Sequence, residues 1–108
     1  MDEAALDARL RALAHTVRRT LVAACVAEPL PAGRLVELTG LAPASVSEHL
    51  KVLRKTGLLV LERRGRHRYY AANPELVRAT AAALLADIDP SAPQHHNRRQ
   101  KTPREEIA

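Results

Sequence analysis

The chain has 108 residues, 46% of them hydrophobic but only 2% aromatic, with neither Phe nor Trp. That is one small domain with apolar content enough to fold, so it is not disordered throughout, and its core must come from Leu, Val and Ala, which favours helices. A net charge of +5 favours a polyanionic partner, and the single cysteine excludes an internal disulfide framework. Small cores of this kind often need a partner surface, so a dimer is expected. No signal-peptide pattern opens the chain, and no apolar run approaches the ~18 residues of a membrane span. The expectation is a cytoplasmic protein that does not enter a membrane.

Asp2–Ala14 carries Leu6, Leu10 and Leu13 at helical spacing, with Asp2 and Glu3 near the positive end of the helix dipole. The stripe is thin, which predicts a peripheral helix seeking a partner. Thr16 is placed to cap the next helix, Val17–Ala27. There Val17, Leu21, Val22, Cys25 and Val26 are expected inward, and Arg18 and Arg19 outward. Cys25 follows Leu21 by four on the apolar face and reads as a buried structural thiol. Glu28–Pro31 is a proline-punctuated loop.

Gly33–Leu53 reads as two short helices joined by a tight turn at Thr39–Gly40–Leu41. Leu35, Val36 and Leu38 mark the first. Val46, Leu50 and Leu53 mark the second, which Pro43 opens in its first turn. Gly40 supplies the left-handed residue that lets the chain turn. The outer face of the second helix carries Ser45, Ser47, Glu48, His49, Lys51 and Arg54, polar and cationic groups suited to base edges and phosphates. This is a helix-turn-helix, and its second helix is the candidate DNA reader.

Thr56–Gly57 stops that helix. Leu58–Arg63 and Arg66–Ala72 read as two strands around a turn at Arg64–Gly65, with Tyr69 and Tyr70 on opposite faces. Arg63, Arg64, Arg66, His67 and Arg68 then crowd one tip, the densest positive charge in the chain. A solvated hairpin is the plain reading. A wing that grips the DNA backbone is the better one directly after a helix-turn-helix. Asn73 caps a last helix, Glu75–Ile88, whose Leu76, Val77, Leu84, Leu85 and Ile88 alternate with small alanines such as Ala83. It looks like a dimer seam with the first helix, through Leu6, Leu10, Leu13, Leu76, Ala83 and Leu84. Residues 1–88 therefore form the domain, and 89–108, rich in proline and charge, read as a flexible polar tail. No Gly-rich phosphate loop, H-E-x-x-H or Cys-x-x-Cys is present.

Leu13–Ala14–His15, Arg18–Arg19, Leu38–Thr39–Gly40–Leu41, Ser45–Val46–Ser47–Glu48–His49–Leu50–Lys51–Val52–Leu53–Arg54, Gly57–Leu58, and Arg64–Gly65–Arg66 with Tyr69–Tyr70 occur in that order. Over residues 5–88 the chain resembles the ArsR/SmtB family of bacterial winged-helix repressors. The resemblance implies a mainly α fold with a small β-hairpin: a winged helix-turn-helix running helix, helix, helix, helix, strand, strand, helix. It also implies a homodimer through the first and last helices that offers reader helix and wing to double-stranded DNA. By position, DNA contact falls to Ala44, Ser45, Ser47, Glu48, His49, Lys51 and Arg54 on the reader, and to Arg63, Arg64, Arg66 and Arg68 on the wing. Ser45, Ser47, Arg64 and Arg66 are the first choices. For His49, a role as a brace against a neighbouring helix weighs equally.

Many members of the family respond to a small effector or metal ion, but those sites transfer badly. The arsenic-type cysteine pair would fall at Pro31 and Gly33, and the last helix has no histidine for the zinc-type site. What remains is Asp87, Asp89, His95 and His96, a donor set that suits nickel or zinc; the plainer reading is solvated tail residues. Two other functions compete. A winged-helix module that docks on protein without reading DNA should expose apolar or acidic residues on its wing, and this wing exposes arginine. An enzyme lacks support, since no base is evident for Cys25 and no triad or carboxylate pair stands out.

Overall fold

The structure is a computed structural model that describes residues 1–92 of the 108. Its elements follow the expected order: α1 (Glu3–Leu13), α2 (Thr16–Ala27), α3 (Ala32–Thr39), α4 (Pro43–Lys55), β1 (Leu59–Arg64), β2 (His67–Ala72) and α5 (Pro74–Ile88). This is the mainly α winged helix-turn-helix with one antiparallel hairpin. The predicted tail beyond Ala92 lies outside the described residues.

Local chemistry sets the boundaries. The Asp2 carboxylate accepts from the Ala5 backbone N–H at 2.7 Å and so caps α1. The Asn73 side chain does the same for α5 through Leu76 N–H at 3.2 Å, with Pro74 in the first turn. Gly40 ends α3 at φ +70°, and Gly57 follows α4 at φ +82°. A Cβ on Gly57 would meet Leu76 Cδ2 at 3.2 Å, so this glycine also lets α5 come close.

Three expectations of detail are corrected. Thr16 does not cap α2; His15 holds the cap position without a side-chain bond, and Thr16 is already helical. Val26, expected inward, is 52% exposed, and Leu38, one of the apolar markers of α3, is 50% exposed, because their helices bury a narrower arc than their apolar stripes cover. The hairpin loop is Gly65–Arg66, not Arg64–Gly65, since Arg64 pairs with His67 across the strands. Gly65 at φ +64° takes the first loop position, where a two-residue hairpin with II′ twist requires glycine.

The core joins Leu21, Val22 and Cys25 of α2, Leu35 of α3, Val46, Leu50 and Leu53 of α4, and Leu58 and Leu59 entering β1, with Ala12 from α1. Fully burying each Leu or Val is worth about 1.5–3 kcal/mol, so this aromatic-free core is held by many modest contributions. The wing is fastened from outside its own sheet. Leu30, in the loop before α3, exchanges backbone hydrogen bonds with Tyr70 at 2.9 and 2.8 Å. At the opposite end of α4, Arg9 Nε of α1 donates to the Thr56 carbonyl at 3.0 Å, putting a cation at the negative end of that helix.

Candidate nucleic-acid interface

The buried residues of α4, Val46, Leu50 and Leu53, fix which way the helix faces. At 3.6 residues per turn, the side opposite them carries Ala44, Glu48, Lys51 and Lys55. Ser47 and Arg54 flank it on one side, Ser45 on the other, and all seven are exposed. Lys51 Nζ lies 3.7 Å from Glu48 Oε2, an exposed pair too weak to hold either charge against a better partner.

Strand alternation divides the wing. Leu59, Leu61 and Arg63 share a face with Arg68, Tyr70 and Ala72; Val60, Glu62 and Arg64 share the other with His67, Tyr69 and Ala71. The first face meets the body of the protein, where Leu59 is buried and Tyr70 and Ala72 pack on the core. Tyr70 also lines a cleft of about 520 Å³ with Ser47, Lys51, Arg54 and Lys55. Reader helix and wing thus form the two walls of one basic cleft. Arg63 and Arg68 prolong the wing wall outward, directly opposite each other and without an ion pair among the described residues.

Arg64, a first choice from sequence, faces away. It donates to Glu62 Oε1 from Nε and Nη2 at 3.2 and 3.0 Å, and its guanidinium carbon sits 5.0 Å from the Tyr69 ring centre. Arg66 is exposed in the loop itself. His49 is half-buried on the α2 side of the reader. Its Nδ1 accepts from Arg18 Nε at 3.1 Å, and its ring lies 4.7 Å from that of His15, tilted by 59°. Burial, then the neighbouring His15 and Arg18, hold the His49 pKa below the usual 6.5, with Glu48 opposing. Arg18, expected outward, is therefore half-buried and engaged. Lys55 and Arg18 were missed from sequence. Lys55 is legible from its position four after Lys51, whereas Arg18 has no such local signal.

The seam candidates separate by burial. Leu6 is 8% exposed and already buried within the single chain, whereas Leu10, Leu13, Leu76 and Ala83 are half-buried. Leu84, Leu85 and Ile88 are 36%, 48% and 71% exposed, and of the fifteen residues of α5 only Thr80 is fully buried. Of the metal candidates, Asp87 is exposed. Asp89 accepts from the Ser91 N–H and hydroxyl at 3.1 and 2.7 Å, bonds that hold its carboxyl below the usual range. His95 and His96 lie outside the described residues, and among the described residues no three His, Cys, Asp or Glu gather closely enough to hold a metal. No helix among them is long and apolar enough to cross a membrane.

Comparison with known proteins agrees with this geometry. A helix-turn-helix domain family matches residues 13–62. An ArsR-like transcriptional regulator from Rhodococcus sp. RHA1 shares the fold at TM-score 0.72 and 22% identity, covering 97% of this chain and 93% of its own. The transcriptional regulator HlyU from Vibrio vulnificus CMCP6 is 27% identical at TM-score 0.60, over 76% of this chain and 84% of its own. The transcriptional repressor BigR from Xylella fastidiosa is 28% identical at TM-score 0.59, over 76% and 80%. No curated protein matches in a sequence search. These relatives are transcriptional regulators, and with helix-turn-helix motif, hairpin and element order all shared, the chain is a DNA-binding transcriptional regulator of winged helix-turn-helix fold, similar to ArsR-like regulators.

Proposed function

We propose that the protein is a homodimeric repressor that binds an inverted-repeat operator, reading bases with α4 and clamping the backbone with Arg63 and Arg68. The observation that carries this is the cross-strand arginine pair. Like charges directly opposite on a hairpin destabilise it in the free protein, so an anion between them relieves a standing repulsion. A phosphate at the mouth of the basic cleft supplies that anion while α4 lies in the major groove. The bare apolar run Leu84, Leu85 and Ile88 supports a second copy packed along α5, and a two-fold dimer requires two half-sites about one DNA turn, roughly 10 bp, apart or a multiple of that.

An operator selected from a random duplex library tests the assignment. Ser47→Ala is expected to weaken that operator more than random DNA. Arg68→Ala is expected to weaken both alike and to lower the salt slope by about 1 for each phosphate it no longer neutralises. A footprint over one unrepeated half-site, or equal losses for both variants on both DNAs, contradicts the proposal.

A further inference from the structure

Arg18 belongs to neither the reader helix nor the wing. It sits in the first turn of α2, half-buried, and reaches His49 across 31 positions of sequence. The bond uses Nε, the inner nitrogen of the guanidinium. Both outer nitrogens remain without a hydrogen bond or ion pair among the described residues. An arginine gripped through Nε holds its outer fork in a fixed direction, which lowers the ordering cost of binding an oxyanion. His49 lies on the same flank of α4 as Ser45, four residues earlier, so the fork stands at the rim of the DNA-facing surface.

We propose that Arg18 is a DNA-backbone contact and that His49 is the residue that positions it. The inference rests on the DNA-binding reading and adds a phosphate clamp outside reader and wing. It also explains why the reader helix spends a histidine on its flank. The bond needs Nδ1 unprotonated. The groups facing His49 are His15 at the N-cap of α2, Arg18 of α2 and Glu48 from its own helix. Burial, with His15 and Arg18, keeps the imidazole neutral near pH 7, so the grip is intact there and is lost as the pH falls through the lowered His49 pKa.

The test uses the full chain and a random-sequence duplex of about 30 bp, titrated at several salt concentrations. Arg18→Gln keeps an N–H for His49 but removes the charge. It is expected to lower affinity roughly fivefold at ~0.15 M salt and to reduce the salt slope by about 0.9 per subunit. His49→Asn keeps an acceptor where Nδ1 stands and cannot titrate. It is expected to bind within about twofold of wild type at neutral pH and more tightly than wild type in mild acid, while His49→Ala is weaker at neutral pH. Should Arg18→Gln unfold, Arg18→Lys keeps the charge without the Nε bond and is expected to lose the pH response. A wild-type slope for Arg18→Gln, or a His49→Asn variant as weak as His49→Ala, overturns the proposal. Wild type failing to bind the duplex at all sinks the DNA reading beneath it.

Discussion

Cys25 packs on α2 among Leu21, Val22 and the rest of the core at 3% exposure, and burial pushes its thiol from 9.0 up to about 11. That difference leaves a roughly 100-fold smaller thiolate fraction than in the unfolded chain at about pH 8. Iodoacetamide is therefore expected to label the folded protein about 100-fold more slowly than the protein in denaturant; equal rates would mean the thiol is not buried. The sign for stability follows. The unfolded chain ionises first, so the contribution of Cys25 is full below pH 9.0 and is lost as the pH rises toward about 11. For His49 the sense is opposite. Its lowered pKa gives a contribution present above about pH 6.5 and lost as the pH falls. The buried cysteine was readable from one helix, because Leu21 and Cys25 are a single turn apart. The His49–Arg18 bond was not, because its partners lie 31 positions apart and no local period links them.

The elements were legible where one physical signal dominated: glycine for the left-handed ends of α3 and α4, Asn73–Pro74 for the start of α5, four- and three-residue spacing for the buried stripe of α4. The hairpin was harder. A two-residue loop places six residues per strand in register, and a one-residue slip exchanges the faces of all of them. Reading the loop at Arg64–Gly65 left five basic residues around one tip. Reading it at Gly65–Arg66 turns Arg63 and Arg68 toward the cleft and Arg64 toward Glu62 and Tyr69. Arg63→Thr removes the like-charge pair and installs a good strand former. It is expected to raise thermal stability by roughly 0.2–1 kcal/mol while weakening DNA binding. A calorimetric melt beside a binding titration checks both signs, and loss of stability with full binding would refute the role given to the pair.

At the scale of the molecule, α5 is poorly buried for a helix so apolar. Its single fully buried residue is Thr80, whose hydroxyl donates to the Leu76 carbonyl at 2.7 Å, while Leu84, Leu85 and Ile88 face out. Ile88→Lys tests whether a second subunit covers them. Lysine suits the negative end of a helix, so the substitution does not weaken α5 by itself. Sedimentation is expected to show a monomer with unchanged helical circular dichroism; an intact dimer would place the seam on another face. Sequence pointed to this surface through its alanines and leucines. It did not show that Leu6 is already buried within the chain, because that depends on how α1 lies against the rest of the chain.

The bond from Arg9 to the Thr56 carbonyl joins α1 to the last turn of α4 without passing through the core. If α1 shares the seam with α5, it acts as the arm of a calliper whose jaw is the reader helix. Rotation at the pivot then changes the span between the two jaws, and an inverted repeat accepts only one span. In such a dimer, a tilt of the seam would weaken the hold on an inverted repeat without touching a single residue of the cleft.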